Sequence, residues 1–295
     1  MTQPVFRFAP SPNGRLHLGH AFSALLNQRL ARETGGRLLL RVENTDTVRC
    51  LPMLERRMLE DLAWLGIEWD EEPRRQSEHG ADYQQALDRL GAMGLVYPGF
   101  FSRGAARQAV ETATARGRSW PVDPDGVPHY PPEDRDLAEA ERQSRLDARA
   151  PHTLRLDMEA ALDRLSRQDA LPLTWQEEGG GPEGETGEIA ADPGQWGDFM
   201  LTGRDRSAAY HLACAVDDAA QGISHVVRGR DLFLATSAQR LLQELLGLPQ
   251  PTYLHHDLIL DSDGRKLSKS RSDTSLAELR MAGATPGDIR KMVGL

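Results

Sequence analysis

The opening strand, turn and helix constrain this chain more than any other stretch. Val5-Phe6-Arg7-Phe8-Ala9 reads as a short strand that runs into a turn shaped by Pro10, Pro12 and Gly14. Residues 18–33 carry apolar side chains at helical spacing and stop at Gly35-Gly36. Arg37-Leu38-Leu39-Leu40-Arg41-Val42-Glu43 then reads as a buried strand. Strand, helix and strand in that order begin a parallel α/β sheet. In such a sheet the first turn is a natural phosphate site. The helix begins there with its free N–H groups facing the ligand.

Further along, helical stretches are expected at residues 53–65 and 81–93, and an exposed helix at 103–118. Residues 121–132 are loop-like, and the charged, alanine-rich 133–150 reads as a helix. His152-Thr153-Leu154-Arg155-Leu156 reads as a strand. Residues 176–194 hold a run rich in glycine, glutamate and proline, a composition poor in core-forming side chains, and are expected to be a mobile loop. Residues 197–201, 209–216 and 225–228 resume the α/β pattern, and 237–246 is a helix. Leu258-Ile259-Leu260 leads into a polar turn, Asp261-Ser262-Asp263-Gly264.

Composition narrows the class. Hydrophobic content of 39% and charged content of 27% suit a soluble globular protein. No apolar run approaches the roughly 20 residues of a membrane span. The N-terminal residues lack the apolar stretch of a secretory signal. Cys50 and Cys214 are the only cysteines, too few for a disulfide framework or an all-thiolate zinc site, and a cytoplasmic setting is expected. The net charge of −9 runs against the usual basic footprint of nucleic-acid binders. A local arginine-lined groove is still compatible with it, because binding follows the local field.

Two short motifs carry the chemistry. In the first, Phe8-Ala9-Pro10-Ser11-Pro12-Asn13-Gly14-Arg15-Leu16-His17-Leu18-Gly19-His20, two histidines stand three apart at the start of the helix, and Gly19 leaves space for a nucleotide. Taken alone, His17 and His20 could be satisfied surface residues at a helix start. In the second, Gly264-Arg265-Lys266-Leu267-Ser268-Lys269-Ser270, two lysines on a short loop could stabilise negative charge developing on a phosphoryl group. Taken alone, that loop could be an ordinary solvated basic turn. Asp217-Asp218 invites a metal reading, but adjacent strand residues point to opposite faces, so structural hydrogen-bonding roles are expected.

Together and in this order, the motifs resemble the HIGH and KMSKS signatures of class I aminoacyl-tRNA synthetases. With Arg41-Val42-Glu43-Asn44-Thr45-Asp46, Val216-Asp217-Asp218 and His225-Val226-Val227-Arg228-Gly229, they resemble the catalytic core of glutamyl-tRNA synthetases over most of residues 5–272, most weakly over 102–195. The resemblance implies an α/β fold: a Rossmann-type parallel sheet, an inserted α+β subdomain and a short helical C-terminal tail. The expected divisions are 1–97 and 196–250 for the two halves of the catalytic domain, 98–195 for the insertion, and 251–295 for the lysine loop and tail. Only 25 residues follow Ser270, which resembles the shortened glutamyl-queuosine tRNA(Asp) synthetases. That group is expected to activate glutamate and attach it to queuosine in the anticodon of tRNA(Asp).

The same resemblance implies residue roles. Arg7, Ala9, Ser11, Glu43, Tyr210 and Arg228 are expected to bind L-glutamate, with Glu43 holding the ammonium group. His17, Gly19, His20 and Lys269 are expected at ATP, and His17, His20, Lys266 and Lys269 to act in catalysis. ATP and Mg²⁺ are the implied cofactors and queuosine-containing tRNA(Asp) the implied partner, for an enzyme expected to be a monomer. Many members carry a zinc site of pattern C-x-C followed by Y-x3-C. Gly99, Phe101 and Asp134 stand at the cysteine positions here and only Tyr130 matches, so no zinc is expected. Cys214 stands where glutamyl-tRNA synthetases tend to have asparagine.

Three other readings fit parts of the pattern. A compact glutamyl-tRNA synthetase would charge the tRNA 3′ end. A non-catalytic paralogue would bind a nucleotide or RNA, against which the intact His17, His20, Lys266 and Lys269 argue. A small-molecule adenylyltransferase could share the first motif, against which Arg7, Glu43, Tyr210 and Arg228 argue.

Overall fold

The computed structural model describes residues 3–205, 207–260 and 274–295. Lys266 and Lys269 therefore lie outside the described residues. The chain opens with β1 (Val5–Phe8), α1 (Leu18–Glu33) and β2 (Arg37–Val42), the expected parallel unit. Next come α2 (Pro52–Trp64), the short β3 (Arg74–Arg75), α3 (Gly80–Ala92) and β4 (Val96–Gly99). α4 (Arg103–Ala115), α5 (Glu139–Asp147), β5 (Thr153–Leu156) and α6 (Met158–Arg167) follow. β6 (Thr174–Glu177) and β7 (Gly187–Ala190) lead to β8 (Met200–Thr202). α7 (Tyr210–Ala220), β9 (His225–Gly229), α8 (Ala235–Leu246) and β10 (Thr252–His256) complete the α/β pattern. α9 (Leu276–Met281) and α10 (Pro286–Met292) form a helical tail.

The main sheet has the order β3-β2-β1-β9-β10-β6-β7. All its pairings are parallel except β6 with β7. A second, antiparallel sheet runs β4-β5-β8. The fold is thus α/β, with a Rossmann-type parallel sheet and a smaller α+β unit. Strand order reverses between β1 and β9, and the carboxyl ends of these two strands flank a crevice, where ligands bind in folds of this kind. No helix among the described residues is long and apolar enough to cross a membrane.

The period of two along each strand separates two faces. Phe6, Phe8, Leu38, Leu40, Val42 and Val227 pack with Leu25 of α1, Leu62 of α2 and Ile289 of α10. Leu39, Val226 and Tyr253 face the other way, onto Trp175 and Phe233. Arg7, Arg41 and Arg228 alternate in step with this second set, and all three are buried. A further core joins α3, α6, α7 and α8 through residues such as Leu90, Leu165, Leu212 and Leu241.

Two expectations are corrected. Residues 176–194 are not a mobile loop: they contain the end of β6, all of β7 and the start of a 3-10 turn at Pro193–Trp196. The glycines there serve close packing. A Cβ on Gly179 would sit 2.3 Å from the carbonyl oxygen of His255. The main chain is bonded to β10, with Glu178 N–H donating to Tyr253 O at 2.7 Å and Gly180 N–H to His255 O at 3.1 Å. Asp217 and Asp218 lie in the helix α7 rather than on a strand, and both are buried. Successive helical residues are turned by about 100° rather than set on opposite faces, so both carboxylates can reach inward.

Candidate active site

The turn after β1 is stitched to the end of β2. Glu43 N–H donates to Pro10 O at 3.1 Å, and the Ser11 hydroxyl donates to Glu43 O at 2.7 Å. This brings the two strand ends to one side of the crevice. His17 is the N-cap of α1, not a residue of its first turn, and its Nδ1 accepts from Gly19 N–H at 3.1 Å. His20 reaches back, its Nδ1 accepting from His17 N–H at 3.3 Å, and the two rings lie 3.9 Å apart. The histidine pair is therefore a capping box. A Cβ on Gly19 would stand 3.1 Å from the His17 ring, so the glycine gives that ring its place. No acidic side chain occupies the first turn, which leaves the positive end of the helix dipole for an anion. The tail fastens the motif from behind, as Leu276 N–H donates to Leu16 O at 2.9 Å.

The arginine face supplies the other wall. Arg7 Nε donates to Asp218 Oδ1 at 3.2 Å, and Arg41 Nη1 to the same oxygen at 2.6 Å. Arg41 Nη2 reaches Glu43 Oε1 at 3.3 Å, and the Cys214 thiol donates to that oxygen at 3.3 Å. Burial alone would raise the Asp218 carboxyl, but Arg41 and Arg7 outweigh it and hold the group below the usual range. Its neighbour Asp217 accepts from Arg74 Nε and Gln76 Nε2, each at 2.8 Å, and from the Tyr83 hydroxyl at 2.9 Å. The pair thus has hydrogen-bonding roles, and α7 ties β1 and β2 to β3 and α3.

Arg228, at the end of β9, is held by neutral acceptors: His255 Nε2 at 3.0 Å, Gln239 Oε1 at 2.9 Å, Thr236 Oγ1 at 2.8 Å and Leu232 O at 3.1 Å. Behind it, His255 Nδ1 meets Glu177 Oε2 at 2.6 Å. Burial pushes the His255 imidazole down to about 4 in spite of that carboxylate. Burial alone would raise Glu177, but its hydrogen bonds from His255 and Gly179 hold it below its usual range. The ring is therefore neutral, with its proton on Nδ1 and Nε2 free to accept from Arg228.

One cavity of about 870 Å³ joins these walls. Arg7, Ala9, Ser11, Glu43, Tyr210 and Arg228 line it together with His17, Gly19 and His20. Tyr210 begins α7, is partly exposed and lines the cavity. All the expected site residues that lie among the described ones therefore share one space, of a size ordinary for a small-molecule site. Sequence reasoning missed the supporting layer of Arg41, Glu177 and His255. Arg41 carried a signal, since an arginine inside an otherwise apolar strand calls for a buried partner. Glu177 carried none, because its link to the site runs through His255, which is distant in sequence.

The stretch compared with a zinc site is built differently. The Asp134 carboxylate accepts from Phe100 N–H at 2.6 Å, from Phe101 N–H at 3.0 Å and from the Tyr130 hydroxyl. The Arg155 guanidinium lies over the Tyr130 ring, 3.5 Å from its centre. A Cβ on Gly99 would come within 2.8 Å of the Tyr130 hydroxyl, so no larger side chain fits there. Among the described residues, no group of three or more histidine, cysteine or acidic side chains could hold a metal ion.

Known proteins resemble this chain over most of its length. The family model for tRNA synthetases class I (E and Q), catalytic domain, matches residues 4–293. The chain is 43% identical to the glutamyl-Q tRNA(Asp) synthetase of Rhodobacter capsulatus over 99% of this chain and 100% of that protein. It is 38% identical to the protein of that name from Symbiobacterium thermophilum, over 95% of this chain and 82% of the other. It is 36% identical to the glutamate–tRNA ligase of Synechococcus sp., over 98% of this chain but 56% of that one. Among solved structures, the glutamate-tRNA synthetase of Elizabethkingia anophelis superposes with a TM-score of 0.74 at 28% identity, over 92% of this chain and 54% of the other.

Proposed function

We propose, for a chain that belongs to the class I tRNA synthetase family (E and Q), that it activates L-glutamate with ATP and passes the glutamyl group to queuosine in the anticodon of tRNA(Asp). The observation that carries the activation step is the shared cavity, in which Arg7, Glu43, Tyr210 and Arg228 face the start of α1. The Glu43 carboxylate suits a substrate ammonium group, and Arg7 and Arg228 suit its carboxylates. His17, Gly19 and His20 stand where the α1 N-terminus favours phosphate. Lys266 and Lys269 would neutralise charge on the departing pyrophosphate, and Mg²⁺ would travel with the ATP phosphates. In the first step a glutamate carboxylate oxygen attacks the α-phosphorus and pyrophosphate leaves. In the second, a hydroxyl of the acceptor attacks the glutamyl carbonyl and AMP leaves. The protein supplies position and charge rather than a nucleophile of its own.

The acceptor rests on similarity to the glutamyl-Q tRNA(Asp) synthetases, which extends over the full length of the Rhodobacter capsulatus protein. A second reading, charging of the tRNA 3′ end, is favoured by the likeness to glutamate–tRNA ligases. Charging with radiolabelled glutamate separates the two. Queuosine-containing tRNA(Asp), the unmodified tRNA and tRNA(Glu) are compared, and the product is digested with nuclease. The label should travel with the anticodon fragment. Label on the 3′-terminal adenosine would make the protein a glutamyl-tRNA synthetase. Activation is tested separately by ATP–pyrophosphate exchange, which should depend on glutamate and need no tRNA. Equal rates with glutamine would sink the glutamate assignment.

A further inference from the structure

Arg228 differs from the other arginines of the sheet face. Arg41 and Arg7 share the Asp218 carboxylate, whereas among the described residues no carboxylate forms an ion pair with Arg228. Its four hydrogen bonds go to an imidazole, an amide, a hydroxyl and a carbonyl, all neutral. Its orientation is fixed while its charge stays available to a ligand in the cavity.

The imidazole is the least ordinary of these partners. A histidine can accept from an arginine only when it is neutral and its proton sits on the far nitrogen. Glu177 enforces that tautomer. Each of its oxygens meets two donors: Oε1 accepts from the backbone N–H of His255 at 2.8 Å and of Gly179 at 3.0 Å, and Oε2 from His255 Nδ1 at 2.6 Å and Trp175 Nε1 at 3.3 Å. Glu177 and His255 are fully closed to solvent, and neither lines the cavity. A buried carboxylate costs stability unless it is fully paired, and this one is joined to the arginine through the His255 ring.

From this arrangement we infer that Glu177 and His255 are positioning residues, which fix the guanidinium plane of Arg228 for a carboxylate of the amino-acid substrate. The inference rests on the reading of the cavity as an amino-acid site. The four hydrogen bonds of Arg228 take up four of the five guanidinium N–H groups, so one Nη1 N–H and the charge remain for a ligand carboxylate, and the direction of that N–H depends on the angle of the guanidinium plane. A shift of about 1 Å at such a group can cost on the order of a hundred-fold in rate. The loss would fall on the amino acid and not on ATP.

The test is glutamate-dependent ATP–pyrophosphate exchange, with Michaelis constants measured for both substrates and thermal melting followed in parallel. Glu177→Gln keeps the shape but must turn its NH₂ toward two donors, which frees the His255 tautomer. It should raise the glutamate constant by about ten-fold or more and leave the ATP constant unchanged. A pair of variants at His255 separates positioning from mere packing. The amide of His255→Gln can place an oxygen near the old Nε2 and still accept from Arg228. The amide of His255→Asn can reproduce only the Nδ1 donor toward Glu177. His255→Gln should therefore retain glutamate affinity better than His255→Asn. The reverse order, or unchanged glutamate constants in all three variants, would overturn the inference and leave the functional reading intact. If Glu177→Gln does not fold, the order within the His255 pair decides. Wild-type protein that shows no exchange with glutamate would instead bring down the functional reading, and this inference with it.

Discussion

Arg41 Nη1 lies 2.6 Å from Asp218 Oδ1, the Arg41 side chain fully closed to solvent and that of Asp218 almost so. The same oxygen accepts from Arg7, a wall of the cavity, at 3.2 Å. One carboxylate thus balances a structural arginine and sets a ligand-facing one. Removing it takes the ion-pair partner from Arg7 and leaves Arg41 only its longer ion pair with Glu43. We expect Asp218→Asn to lower stability by about 3–5 kcal/mol, the usual loss when one partner of a buried pair is deleted. Urea unfolding measures this, and a change below about 1 kcal/mol would show that solvent reaches the pair.

The buried histidines set the response to acid. Burial lowers His255 to about 4 and His211 to about 3, so both are neutral in the native protein. In the unfolded chain they titrate near 6.5. The unfolded state therefore takes up protons first, and stability should fall as the pH drops from about 6.5 toward 4 and below. Asp218 and Glu177, held below the usual carboxylate range, add a further loss once the pH passes below roughly 4. Urea midpoints measured between neutral pH and about 4.5 should decline steadily, and a flat profile would contradict the neutral assignments.

The two cysteines should differ sharply in reactivity. Cys214 is buried, and burial followed by the nearby Glu43 pushes its thiol well above the ordinary value. Cys50 is only half-buried. Iodoacetamide on the native protein should modify Cys50 first, and Cys214 should react only after unfolding. Mass spectrometry of the peptides reads the order, and early labelling of Cys214 would mean that the site opens readily.

Asp134 is expected to hold by hydrogen bonding the stretch that the family resemblance aligns with a zinc site. Its replacement by alanine leaves the amide of Phe100 without its acceptor and that of Phe101 with only the Tyr130 hydroxyl. Asp134→Ala should cost about 1–3 kcal/mol and speed proteolysis within residues 100–152. Elemental analysis of the unaltered protein should find no stoichiometric zinc, and about one zinc per chain would overturn this account of the insertion.

Lys269 lies outside the described residues, and its part in the reaction is open to a direct test. Lys269→Ala should lower glutamate-dependent exchange by about 10²–10³, the usual effect of removing one charge-stabilising donor. An unchanged rate would make the lysine loop a solvated turn.

How far the sequence could be read follows from where each signal lies. The β1–α1–β2 unit was legible because Phe6, Phe8, Leu38 and Leu40 alternate in step with their sheet face, and Gly35-Gly36 marks the helix end. The expected site residues came from the family resemblance that the short motifs carry, whereas other lining residues such as Arg49 and His256 gave no such signal. The segment holding Asp217 and Asp218 was misread because a short run of alanine, valine and cysteine suits a strand as well as a helix. The hairpin of β6 and β7 was misread because its glycines look like flexibility in one dimension. Their reason, the approach of Gly179 to His255, exists only in three dimensions. The support of Arg228 by His255 and Glu177 was hidden in the same way, being a contact between strands far apart in the chain.

The small sheet has a consequence for how this protein can change over time. Gly99 and Thr153 are opposite one another in the β4–β5 ladder, and β5 also pairs with β8. The excursion across residues 100–152 therefore starts and finishes at neighbouring points of the backbone. Lengthening or shortening a segment whose ends already meet adds little closure entropy and need not move the ladder beneath it. That makes the β4–β5 junction a modular seam, where new recognition surfaces can be fitted or removed while the crevice at the ends of β1 and β9 keeps its shape.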